Sequence, residues 1–290
     1  MHSWLLLGLC FWNFSGVVAT ACLRIIGGTV TTIEKYPPTA AVLLIGYFST
    51  NQICGGSIIN QRHILTAAHC FTFTLNAGVY LIRVGSSMAH SGGTTHHIDR
   101  IILHPQWNTR TVDNDVAIMR TTTAITYGIT VQPANLAEST YRLLDNDSVW
   151  AVGWGLTSEY GLPSEQLRDV NVFVVNSDIC RSRFRNHIEI TENMICTGWL
   201  DIGGHDQCSR DSGSPVYHHN TVIGFSSMGF GCARPCYPGV NVRVSRFSNW
   251  IKALTNVKIY TKPTSPAPKR TKASPMGIAF DIAFSSIEKK

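Results

Sequence analysis

From Ile25 to about Ser245 the chain alternates short apolar runs with clusters of Gly, Pro, Asn, Asp and Ser. The runs include "AAVLLIGYF" from Ala40, "YLIRVG" from Tyr80, "VWAVGWG" from Val149 and "VNVFVV" from Val170. Runs this short, rich in β-branched and aromatic residues and bounded by turn formers, predict strands rather than helices. Many such strands at near-regular spacing predict an all-β sandwich or barrel. The period changes only near the end, where Phe247, Trp250, Ile251 and Leu254 recur at helical spacing. They predict a short C-terminal amphipathic α-helix with Ser245 as its N-cap.

The two ends fall outside this pattern. Residues 1–21 carry an apolar run from Trp4 to Trp12 followed by "VVATA", the small-x-small pattern of a cleaved secretory signal. The run is too short to cross a bilayer, which takes about 20 residues, so the mature protein is expected to have no membrane segment. Residues 258–290 begin "KIYTKPTSPAPKRTKASP", a basic, Pro- and Ser-rich stretch that reads as a solvated tail.

Nine cysteines in a secreted chain point to disulfides, with Cys10 leaving in the signal. The +6 net charge raises a nucleic-acid reading, but it lies outside the strand-rich region. Between Ile25 and Val257 there are 14 Arg and 2 Lys against 16 Asp and Glu, so a basic groove and a nucleic-acid partner are excluded. The preference for Arg, which stays charged where Lys begins to lose its proton, fits work in an alkaline fluid or a bias of composition.

Three motifs carry chemistry: "LTAAHC" with His69, "DNDVAIM" with Asp115 and "RDSGSP" with Ser212. Acyl transfer by a serine needs a base for its proton and a carboxylate to hold that base in the right tautomer. Each motif alone is also compatible with a core histidine, a turn aspartate or a loop hydroxyl. Together with "RIIGG", "CGGSII", "WAVGWG", "NMICTG" and "PGVNVRVSRFSNWI" they resemble the chymotrypsin-like serine proteases. The match is to their trypsin branch, and above all to the digestive trypsins of insect larvae.

That resemblance covers about Arg24 to Thr255 and implies two six-stranded antiparallel β-barrels with a catalytic cleft between them. It implies a zymogen with an activation propeptide at 22–24, a protease domain at 25–257 and cleavage between Arg24 and Ile25. The new Ile25 ammonium would pair with Asp211. Asp206 would select substrate Arg or Lys from the pocket floor, Gly229 and Gly239 would form the pocket walls, and Ser227 and Gly229 would present main-chain groups to the substrate. Three bridges follow from the resemblance: Cys54 with Cys70, Cys180 with Cys196 and Cys208 with Cys232. Cys236 is left over, as a free thiol or a partner for Cys22 or another chain. Peptide or protein substrates and protein protease inhibitors are the implied partners of a monomer, and no cofactor is implied.

No metal site is expected either, because the stretch from Cys70 to Ile98 lacks carboxylates. His96-His97 and His218-His219 read as surface pairs pointing to opposite strand faces. "NDS" at Asn146 is a glycosylation sequon in a loop. Gln207 stands where many relatives have serine, Met228 where they have tryptophan, and Ser214 where they have glycine.

One departure bears on catalysis. Arg210 occupies the position whose glycine, with Ser212, supplies the two oxyanion-hole N–H groups. A Cβ makes glycine's backbone angles costly, and a flipped peptide would aim its carbonyl where the oxyanion forms. Losing one donor costs about 10²- to 10³-fold in rate, so Arg210→Gly is expected to raise activity at least tenfold, and the arginine would obstruct the leaving-group side of the cleft. Two classes of function stand: a serine endopeptidase, or a non-catalytic homologue that binds through the same cleft.

Overall fold

The computed structural model describes residues 26–257, so the signal, the propeptide with Cys22, the Arg24–Ile25 bond and the tail lie outside the described residues. Fourteen strands follow in order: β1 (Thr29–Val30), β2 (Thr39–Ile45), β3 (Thr50–Asn60), β4 (His63–Thr66), β5 (Tyr80–Val84), β6 (Thr94–Leu103), β7 (Ala117–Thr121), β8 (Asn135–Leu136), β9 (Ser148–Gly153), β10 (Arg168–Val174), β11 (Met194–Gly198), β12 (Pro215–His218), β13 (Thr221–Met228) and β14 (Gly239–Arg243). Two helices, α1 (Ser177–Phe184) and α2 (Val244–Thr255), follow β10 and β14.

Strands β2-β3-β4-β7-β6-β5 close into one antiparallel barrel. A second ring runs β9-β10-β11-β14-β13-β12 and closes through the β12–β9 pairing. The architecture is therefore two six-stranded antiparallel barrels, with β1 and β8 added at the edges of the second. Closure removes the open edges that would otherwise invite pairing with other chains. β5 buries alternate residues Tyr80, Ile82 and Val84, whereas β2 buries every residue from Thr39 to Leu43, because its outer face is also covered.

The apolar runs and the strands differ at their ends. The run from Ala40 continues through Tyr47 and Phe48, but β2 stops at Ile45. Gly46 turns the chain, its N–H bonding the Ser49 carbonyl, and leaves both rings fully exposed. α1 had no apolar stripe to announce it. It is started by Asn176, whose Oδ1 accepts from the N–H groups of Asp178 and Ile179, and is anchored by buried Cys180 and Phe184. α2 begins one residue before the expected cap: Arg243 holds the cap position without a side-chain bond, because Val244 is already buried as the first helical residue. Phe247 and Ile251 face the core as the spacing predicts, while Leu254 is exposed.

All three bridges form: Cys54–Cys70, Cys180–Cys196 and Cys208–Cys232. Each spans 16 to 24 residues, a loop length worth about 3 kcal/mol in chain-entropy terms. Cys236 is exposed and bridges no described residue. The histidine pairs correct the surface reading. His96 is buried with its Nδ1 bonded to Thr123 Oγ1, and buried His218 meets the Tyr141 hydroxyl. His219 does not face the opposite side; a turn at φ 53° brings its ring to 4.3 Å from that of His218. Asn146 lies exposed in the turn before β9.

Candidate active site

The cleft draws on both barrels. His69 sits in a 3-10 turn (Ala68–Phe71) directly after β4, and Asp115 lies just before β7, the strand paired with β4. The Cys54–Cys70 bridge ties that turn to β3. Asp115 is 1% exposed and accepts three hydrogen bonds: from the His69 main-chain N–H (2.8 Å), from His69 Nδ1 (2.7 Å) and from Ser227 Oγ (2.6 Å). A carboxylate at Nδ1 places the ring proton there and leaves Nε2 as an acceptor, the tautomer a general base needs.

Ser212 approaches from the second barrel, in the loop before β12. Its carbonyl accepts from the Gly55 N–H (2.8 Å) and lies 3.9 Å from Cys70 Sγ, next to His69 in the chain. Its hydroxyl bonds no described residue. Contacts of this kind tighten when substrate binds.

Most main-chain groups of this loop are engaged. The Ser209 carbonyl accepts from the Leu156 N–H (2.9 Å), the Arg210 carbonyl from Gln52 Nε2 (2.9 Å), the Asp211 carbonyl from the Ser214 N–H (2.7 Å) and the Ser212 carbonyl from Gly55. The N–H groups of Asp211 and Gly213 donate to Cys208 and Ser226. Those of Ser209, Arg210 and Ser212 donate to no described residue. In a trans peptide N–H and C=O point to opposite sides, so anchoring the Ser209 carbonyl on Leu156 turns the Arg210 N–H the other way. The flipped peptide is not adopted. Arg210 keeps φ at +75°, a left-handed conformation that costs an L-residue about 1–2 kcal/mol. Its guanidinium is tied to β3, Nη1 donating to the Gln52 carbonyl (3.0 Å).

Beside Ser212 opens a cavity of about 350 Å³ with Asp206, Gln207, Met228, Gly229 and Gly239 in its walls. Asp206 is 3% exposed; its carboxylate accepts from the N–H groups of Gln207 (2.9 Å) and Ala233 (3.0 Å). Burial pushes its pKa up to about 7 against the lowering pull of those two bonds. Gly239 is required by space, because a Cβ there would fall 2.6 Å from Asp206 Oδ1. Asp211 is fully buried, bonded by the N–H groups of Gly155 (2.8 Å) and Cys208 (3.1 Å), and burial likewise raises it to about 7. The chain just after residue 25 packs against this same region: Ile26 is buried and its carbonyl accepts from the Asp206 N–H. Ile25 and Arg24 themselves lie outside the described residues.

Family comparison decides the ancestry of this arrangement. The profile of the trypsin family matches residues 25–251. The chain belongs to the trypsin family. It is 50% identical over 232 residues to trypsin CFT-1 of Choristoneura fumiferana, covering 79% of this chain and 90% of that one. It is 48% identical over 257 residues to alkaline trypsin B of Manduca sexta, covering 86% and 98%, and 43% identical over 234 residues to achelase-1 of Lonomia achelous, covering 79% and 99%. The chain is thus a trypsin-like serine protease homologue related to insect trypsins.

Three contributions were not visible in the motifs. The Ser227 hydroxyl holds Asp115, in addition to the main-chain role expected of that residue. Ser214 fits behind Ser212 because Gly55 and Gly153 leave room; a Cβ on Gly55 would fall 1.9 Å from its Oγ. Gln52 reaches Arg210 across 158 positions of sequence. Among the described residues no three His, Cys, Asp or Glu side chains come together as a metal site.

Proposed function

We propose that the protein is a secreted serine endopeptidase, made as a zymogen and activated by cleavage between Arg24 and Ile25, that hydrolyses peptide bonds after Arg or Lys. In this reading His69 Nε2 takes the proton of Ser212 Oγ as the serine attacks the scissile carbonyl. Asp115 holds the ring and stabilises the imidazolium that forms. The N–H groups of Arg210 and Ser212 receive the developing oxyanion. His69 then returns the proton to the leaving amine, and water repeats the cycle on the acyl-enzyme.

The observation that carries the reading is the pair of N–H groups of Arg210 and Ser212, which donate to no described residue and sit on alternate positions of a loop whose carbonyls from Ser209 to Ser212 are all engaged. A binding protein has no need to keep those two donors open. Specificity rests on Asp206, a buried carboxylate with no cation beside it among the described residues; a substrate guanidinium or ammonium would supply one. Asp211 is in the same condition, and the Ile25 ammonium freed by cleavage would be its cation. The disulfides suit an oxidising, extracellular setting. The arginine-based surface ion pairs of Arg120, Arg181, Arg183, Arg234 and Arg246 would persist at high pH, which fits dietary protein in an alkaline fluid as the substrate.

With the Arg210 N–H already free, the gain from Arg210→Gly should be less than the tenfold anticipated from sequence. The test is turnover of an Arg-amide substrate at alkaline pH by protein cleaved after Arg24. Activity well above that of the Ser212→Ala variant, and absent from uncleaved Arg24→Gln protein, is the expected result. Equal turnover by the cleaved protein and its Ser212→Ala variant would leave only a binding role.

A further inference from the structure

Arg210 poses a local problem that the structure answers outside its own loop. A residue with a side chain at φ +75° is under steric pressure to rotate toward φ below zero, and that rotation would carry the peptide planes on either side of it out of position. The Ser209 carbonyl is held by Leu156, which secures the plane before Arg210. The plane after it is held from β3 by Gln52, whose Nε2 donates to the Arg210 carbonyl (2.9 Å), while Arg210 Nη1 donates back to the Gln52 carbonyl (3.0 Å).

Gln52 is itself immobilised. It is 1% exposed, and its Nε2 donates a second bond to the Cys54 carbonyl (3.0 Å), beside the bridge to Cys70. Its main-chain N–H donates to His90 Nε2 (3.2 Å), and the other ring nitrogen of His90 is bonded to Glu165 Oε2 (2.5 Å). The bracket around Arg210 is therefore anchored to the wall of the first barrel on one side and to the Glu165 side chain, carried just before β10, on the other.

We propose that Gln52 is a positioning residue for the oxyanion hole: its side-chain amide and main-chain carbonyl clasp Arg210 and hold a non-glycine residue in the left-handed conformation that keeps its N–H free. The inference rests on the endopeptidase reading above. It explains how arginine can stand at a glycine position without closing the hole. The arginine side chain is part of the device, since it supplies one of the two reciprocal bonds, and glycine at this position would need no clasp.

The test is a double-mutant cycle on the full, Arg24-cleaved protein, with an Arg-amide substrate and benzamidine as a probe of the pocket alone. Gln52→Met, close in volume but without the amide, should lower kcat about tenfold, with KM and the benzamidine Kd within about twofold of the parent. In the Arg210→Gly background the same change should cost less than about twofold. Arg210→Met, which removes the guanidinium bond but leaves the Gln52 amide, should fall between the parent and Gln52→Met. Equal losses from Gln52→Met in both backgrounds, or no loss in the parent, would overturn the proposal while leaving an active parent as support for the enzyme reading. A parent no more active than Ser212→Ala overturns that reading and the role of Gln52 with it.

Discussion

Asp115 on the first barrel and Asp206 and Asp211 on the second are all buried, yet their surroundings differ. Asp115 receives three donors, one of them a histidine ring that can take positive charge during reaction. Asp206 and Asp211 receive two main-chain N–H groups each and no cation from any described residue, and burial raises both to about 7. A buried carboxylate with a built-in partner orients chemistry. One without a partner stores an unmet demand for positive charge, and that demand can select a substrate or sense an activating cleavage.

The largest effect should come from breaking the first kind of site. Asp115→Asn keeps the shape but favours the wrong histidine tautomer, and kcat should fall about 10⁴-fold, as in related serine proteases, with benzamidine binding retained. Asp206→Asn should do the reverse. It leaves the triad intact but removes the partner for Arg or Lys, lowering kcat/KM on Arg-amide substrates by about 10²- to 10³-fold, the scale of a broken buried ion pair.

The same substitution sharpens the comparison through stability. A carboxyl raised in the fold binds its proton more tightly there than in the unfolded chain, so ionising it costs stability as pH rises from about 4 toward 7, and the full cost remains above. Without ligand at pH 8.5, Asp206→Asn should raise Tm by a few degrees, whereas Asp115→Asn should not. A lowered Tm for Asp206→Asn would contradict the picture of an unmet charge.

Ligand binding has the opposite sign. A cation needs the ionised pocket, so benzamidine affinity should be level above pH 7 and fall by up to about tenfold per pH unit below it, with proton release detectable by calorimetry in two buffers. A flat profile between pH 5 and 8 would place the Asp206 pKa well below 7. The smallest effect should come from Ser227→Ala. It removes one of three donors to Asp115, and kcat should fall about three- to tenfold, a modest share of a charge-assisted hydrogen bond.

The strands were legible because alternation and turn residues are local signals: the runs at Tyr80, Val149 and Val170 all became strands. The closed rings were not, since periodicity left sandwich and barrel open and only family resemblance chose between them. α1 was missed because Asn176 and two buried positions one turn apart make too small a pattern. His96 was misplaced because adjacent positions show alternation but not which member of the pair faces inward, and His218 because the turn at His219 breaks the alternation.

The sequence by itself determined the residue types of the cleft: His69, Asp115 and Ser212 in their motifs, Asp206 six positions before the serine, and a lone arginine where glycine is usual. Each sits in a short motif that local geometry must respect. Only the tertiary structure decided which way the peptide before that arginine faces. The groups that fix the carbonyls of its loop, the Leu156 N–H, the Gln52 side chain and the Gly55 N–H, come from other loops and the other barrel, and a hydrogen bond across 158 residues leaves no periodic trace along the chain.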